Sequence, residues 1–134
     1  MASKHTGKTI LLVDDERFFL RFLSGCFAPR GYQVLTASNG TEALEQAQRF
    51  RPDVIVLDVE MPAPDGIETC RALKADEATR PIPVIIITGT ENPKLNAIAF
   101  EAGAEATVFK SVDGDRLLNI VKTVLQTQQA SDPL

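Results

Sequence analysis

Thr9-Ile10-Leu11-Leu12-Val13-Asp14-Asp15, answered further on by Asp53-Val54-Ile55-Val56-Leu57-Asp58, decides the fold of this chain. Each stretch is a short, continuously apolar run that stops on carboxylates. Runs of that length without polar alternation suit strands buried on both faces, as in a parallel sheet covered by helices. In such sheets ligands gather beyond the carboxyl ends of the strands, so Asp14, Asp15 and Asp58 are expected at one edge. A third run, Pro83-Val84-Ile85-Ile86-Ile87, ends in Thr88, and a more mixed one, Glu105-Ala106-Thr107-Val108-Phe109, ends in Lys110.

Working outward, strands are expected near 9–13, 33–37, 53–58, 83–88 and 105–109, and helices near 16–29, 40–50, 66–76, 93–102 and 114–127. Strict β/α alternation predicts an α/β fold: a doubly wound, five-stranded parallel sheet between two helix layers, flavodoxin-like. The mixed second and fifth runs suit edges, which gives the order 2-1-3-4-5. Asn39 and Asn92 suit helix N-caps, and Pro93 a first helical turn. Gly31 and Gly103 stand where helices should end in a left-handed residue. The domain is expected over 8–127, with polar, flexible tails at 1–7 and 128–134.

The chain has 134 residues, 44% of them apolar and 24% charged, which fits one ordinary domain. No apolar run approaches the roughly 20 residues of a membrane span. The N-terminal segment is too polar for a signal peptide, so a cytoplasmic protein without membrane contact is expected. A net charge of −4 offers no electrostatic footprint for direct nucleic-acid binding. Cys26 and Cys70 show no metal-ligand or CxxC spacing, and their helices are expected on opposite faces of the sheet. The aromatics Phe18, Phe19, Phe22 and Phe27 are expected to serve mostly core and helix packing.

Three carboxylates, a hydroxyl and an ammonium at one sheet edge describe a site for a divalent cation and a phosphoryl group. Mg²⁺ takes oxygen ligands and usually only one or two carboxylates. Asp15 and Asp58 are the candidate direct ligands, with Asp14 either ordering a metal water or binding directly. Three carboxylates and one lysine would repel a phosphoryl group until a cation neutralises them. Asp58 is then the candidate nucleophile, and Thr88 and Lys110 the groups that hold phosphoryl oxygens.

These motifs, with Met61-Pro62, Asp65-Gly66, Gly103-Ala104 and Asn39-Gly40-Thr41-Glu42-Ala43-Leu44, make the chain resemble the receiver domains of two-component response regulators over about residues 8–127. The resemblance implies phosphorylation of Asp58 by a partner histidine kinase, a histidine phosphotransfer protein or a small phosphodonor. It implies Mg²⁺ held by Asp14, Asp15, Asp58 and the main-chain carbonyl of Glu60. It implies Thr88 and Lys110 reading the phosphoryl oxygens, and a downstream protein or fused output domain receiving the signal.

Two positions depart from the family pattern. Thr107 stands where relatives often carry a swinging aromatic, so a switch pairing Thr88 with Thr107 lacks its usual bulk. Ser111 replaces the usual proline after Lys110, and since a non-proline cis bond costs about 3 kcal/mol a trans bond is expected there. Coupling is therefore expected through 88–95 rather than 105–112. The alternatives are a pseudo-receiver that binds partners without phosphate, and a Mg²⁺ phosphohydrolase. The second needs a further acid/base group and a substrate cap, for which there is no spare length. An FMN binder shares the strand order, but Asp14-Asp15-Glu16 is the wrong loop to cradle phosphate.

Overall fold

A computed structural model describes residues 7–131. Five strands alternate with five α-helices: β1 (Thr9–Val13), α1 (Arg17–Phe27), β2 (Gln33–Ala37), α2 (Gly40–Phe50), β3 (Val54–Asp58), α3 (Gly66–Ala75), β4 (Val84–Thr88), α4 (Pro93–Glu101), β5 (Ala106–Phe109) and α5 (Gly114–Ser131). All ladders are parallel and the strand order is β2-β1-β3-β4-β5, as the apolar runs predict. The three continuously apolar strands lie in the middle, where both faces are covered. Leu11, Val13, Ile55, Leu57, Val84 and Ile86 point into one core with residues of α2, α3 and α4. Their neighbours Ile10, Leu12, Val54, Val56, Ile85 and Ile87 point into the other, with α1 and α5. Alternation in a pleated strand thus splits one apolar run between two cores.

The cysteines follow the same division. Cys70 belongs to the first core and Cys26 packs on the second, and both are unpaired thiols. Gly31 and Gly103 take φ of 91° and 101°, the left-handed region expected of them. Arg51 also caps α2 with φ of 46°, a conformation its residue type did not announce. The Lys110–Ser111 bond is trans, since Ala63–Pro64 is the cis bond among the described residues.

Two expectations change. Residues 128–131 continue α5 instead of forming a tail, while 1–6 and 132–134 lie outside the described residues. On α1, Phe27 is buried and Phe19 partly so, but Phe18 is 86% exposed and Phe22 45%. Phe19, Leu23 and Phe27 recur every four residues and take the inward stripe. Phe18 and Phe22 fall one step around the helix, outside it.

The β3–α3 corner shows how closely the backbone is packed behind the site. A Cβ on Gly66 would lie 2.2 Å from the carbonyl oxygen of Asp58 and 2.6 Å from Cα of Val59. Neither atom belongs to a flexible side chain. Gly66→Ala is therefore expected to destabilise the fold by about 1–3 kcal/mol through overpacking, measured as a lower urea midpoint with unchanged m. An unchanged midpoint would show that the corner has room to relax.

Candidate functional site

The carboxyl ends of β1, β3, β4 and β5 lie side by side, because parallel pairing of neighbouring strands brings their ends level. In the β3–β4 ladder Asp58 is opposite Ile87, and in the β4–β5 ladder Thr88 is opposite Phe109. Two main-chain bonds continue the ladders past the strand ends: Val59 N–H donates to Ile87 O at 3.0 Å, and Lys110 N–H to Thr88 O at 2.7 Å. Asp58 and Lys110 are thereby carried by backbone held on its neighbours.

Asp14 and Asp58 are fully buried and Thr88 is 1% exposed, whereas Asp15 is exposed. One carboxylate oxygen from each of Asp14, Asp15 and Asp58 lies within 4.8 Å of the others. Lys110 Nζ reaches Asp14 Oδ2 at 3.0 Å, Glu16 Oε1 at 3.0 Å and Asp58 Oδ1 at 3.5 Å. Asp14 Oδ1 accepts from Glu16 N–H at 2.9 Å, and Asp58 Oδ1 from Glu60 N–H at 3.3 Å. The second oxygen of Asp58 has no hydrogen-bond partner, and Asp14 Oδ2 has its ion pair but no directed hydrogen bond. Buried oxygens left like this cost free energy. Hard, clustered and undersatisfied carboxylate oxygens fit a small divalent cation such as Mg²⁺.

A family model described as the response regulator receiver domain matches residues 10–122. The chain belongs to this family. The receiver is 38% identical over 125 residues to response regulator PleD of Caulobacter vibrioides (strain NA1000 / CB15N), covering 93% of this chain and 28% of PleD. It is 30% identical over 118 residues to the polar-differentiation response regulator DivK of Brucella anthropi, covering 88% of this chain and 96% of DivK. Among solved structures, a CheY-like receiver domain protein from Methanospirillum hungatei superposes with a TM-score of 0.86 at 26% identity, over 93% of this chain and 98% of that one. The chain thus spans about a quarter of PleD and nearly all of DivK.

In this receiver, burial first and the neighbouring Asp14 carboxylate second push Asp58 up from 3.8 to about 7, against the opposing pull of Lys110 and of the Glu60 N–H. Burial acts to lower Lys110, but the hydrogen bond to Glu16 and the negative charges of Asp14 and Asp58 outweigh it, and its pKa rises. The lysine is thus a fixed positive charge beside a carboxyl that titrates near neutrality.

Asp14, Asp15, Asp58 and Lys110 lie together at this edge, and Thr88 ends the adjoining strand β4. Glu60 borders them through its N–H, but its carboxylate stands outside the acidic trio and does not pair with Lys110. It accepts instead from Gly89 N–H at 2.8 Å, from Thr88 Oγ1 at 3.3 Å and from the Thr90 hydroxyl. Burial would raise the Glu60 pKa, yet the bonds from Thr90, Gly89 and Thr88 outweigh it and hold it below the usual range. Thr107, opposite Ile86 on β5, is half-buried.

Two contributors escaped the sequence reading. Glu16 shares the ammonium of Lys110, and the Phe19 ring lies 4.9 Å from Lys110 Nζ, close enough for a cation–π contact. Adjacency of Glu16 to the acidic pair was the available signal for the first. Nothing local signals the second, which joins helix α1 to a residue beyond β5.

Proposed function

We propose that this receiver accepts a phosphoryl group on Asp58 in a Mg²⁺-dependent reaction and signals by conformational change. A histidine kinase or histidine phosphotransfer protein is the donor, and a downstream protein or fused output domain the recipient, in the cytoplasm and away from membranes. The observation that carries the reading is the buried Asp58 carboxyl with an unpartnered oxygen, between the acidic pair and Lys110.

In this scheme an Asp58 oxygen attacks phosphorus in the donor's phosphoimidazole. The P–N bond breaks, its electron pair stays on the imidazole nitrogen, and an acyl phosphate forms. Asp14, Asp15, Asp58 and the Glu60 main chain would hold Mg²⁺, which neutralises carboxylate and phosphoryl charge while the group transfers. Lys110 balances charge on a phosphoryl oxygen, and the Thr88 hydroxyl donates to another. Attack by water at phosphorus later returns the carboxylate and inorganic phosphate. The domain is thus a phosphoacceptor that assists its own chemistry, not a turnover enzyme. Nothing among the described residues favours the pseudo-receiver alternative.

Incubation with acetyl phosphate and Mg²⁺ is expected to add one phosphoryl group to the intact mass, and chelation of the metal to prevent it. No mass gain under either condition would overturn the reading.

The raised Asp58 carboxyl also fixes how metal affinity depends on pH. Below about 7 a proton occupies the group the metal needs, so Mg²⁺ must displace it. Titration calorimetry is expected to show binding up to roughly tenfold weaker at about pH 6 than at about pH 8. Equal affinities would remove Asp58 from the ligand set.

A further inference from the structure

Glu60 is an exposed residue of the β3–α3 loop, yet its carboxylate crosses to the β4–α4 loop and takes three donors there. Gly89 N–H gives to Oε1, and the Thr88 and Thr90 hydroxyls to Oε2. The same loop is tied internally by Thr90 N–H donating to Thr88 Oγ1 at 3.1 Å. A carboxylate that bridges a hydroxyl and an adjacent main-chain N–H binds them as two oxygens of a phosphoryl group would. Thr88 directly follows Ile87, which lies beside Asp58 in the β3–β4 ladder, so these donors border the place where a group on Asp58 would sit.

We propose that the Glu60 carboxylate is an internal competitor of the phosphoryl group: with Asp58 unmodified it occupies the Thr88 hydroxyl and the Gly89 N–H, and phosphorylation displaces it. The inference rests on the phosphoacceptor reading and assigns the regulation of that same site. Two anionic acceptors cannot share one set of donors, and their like charges repel. Once displaced, Glu60 also releases Thr90, so two ties of the β4–α4 loop pass from Glu60 to the phosphoryl group and the third is lost. The signal then leaves through 88–95, where a small Thr107 is no obstacle. Glu60 acts here as a positioning residue that sets how strongly the receiver resists its active state.

Beryllofluoride with Mg²⁺ is the probe, applied to wild type, Glu60→Ala and Glu60→Asp, with amide exchange read at Gly89. Aspartate keeps the charge but is one methylene too short to bridge the donors. Because Glu60 is exposed, both substitutions leave the core intact. Without beryllofluoride, both variants are expected to exchange the Gly89 amide faster than wild type. Both are expected to bind beryllofluoride more tightly, of the order of tenfold for alanine, since a charged, multiply bonded competitor has gone. If Glu60→Asp matches wild type in both measurements, the effect is plain charge repulsion and the competitor is overturned while the phosphoacceptor reading stands. If no protein binds beryllofluoride, that reading falls and the inference falls with it.

Discussion

Asp58→Asn is expected to abolish the mass gain from acetyl phosphate and, in metal-free buffer, to make the protein more stable. The first outcome follows from chemistry, because an amide has no carboxylate oxygen to attack phosphorus. The second follows from electrostatics. Asp58 titrates near 3.8 when solvated and at about 7 in the fold, so folding disfavours its charged form. The sign is then fixed: below about pH 4 both states hold the proton and no penalty exists. The penalty grows as pH rises, because the unfolded chain ionises first. It is complete above about 7.

At roughly 1.4 kcal/mol per unit the shift sets a ceiling of about 4 kcal/mol. Asparagine, the neutral shape of the protonated group, should recover about 2 kcal/mol of it at pH 8, which for a domain of this size is roughly 5 °C in Tm. Near pH 4 the two proteins should melt together. Saturating Mg²⁺ should erase the advantage, since a ligand that binds only the folded wild type stabilises it by mass action. A variant less stable than wild type at pH 8 without metal would mean that the pocket does not strain its carboxylates.

Lys110→Met is expected to be the converse. Its Nζ is the only cation within ion-pair distance of Asp14 and Asp58 among the described residues, and methionine keeps the aliphatic length against Phe19 while removing the charge. Taking one partner from a buried ion pair costs about 3–5 kcal/mol. The loss should be largest above pH 7 and smaller near pH 5, where Asp58 can hold its proton. In an Asp58→Asn background the cost should fall further, because one of the two buried charges is already gone. The difference between the costs in the two backgrounds is the coupling energy, read by urea denaturation. Acetyl phosphate should also label Lys110→Met more slowly, with no ammonium to balance the incoming oxygens. Equal costs in both backgrounds would show that Lys110 and Asp58 do not sense each other.

How legible the site was depends on which kind of distance is asked about. The apolar runs ending in Asp14, Asp58 and Thr88 carried the strand positions, the alternation with helices carried the parallel winding, and together these put the right groups at one edge. Each inference uses information within a few residues, plus one rule about where parallel strands end. The double-sided burial of Ile10–Val13 neighbours such as Leu11 and Leu12 was legible for the same reason: a run with no polar alternation has no face to give to water.

Side-chain partnerships were not legible in this way. Glu60 had equal formal reason to pair with Lys110, and only the folded loops show it turned to Thr88, Gly89 and Thr90, 28 to 30 residues away. Lys110 in turn is taken by Glu16, 94 residues distant. Such choices among several like-charged neighbours are decided by differences of an ångström or two in reach, which residue type and spacing do not encode. The same holds for Phe18, whose composition suits a core but whose azimuth on α1 leaves it in water, and for residues 128–131, where polar composition says nothing against four more residues of helix. From sequence alone came the fold, the edge and the chemical groups brought to it. The tertiary structure alone decided which of those groups hold one another, because that depends on the placement of loops from different strands in three dimensions.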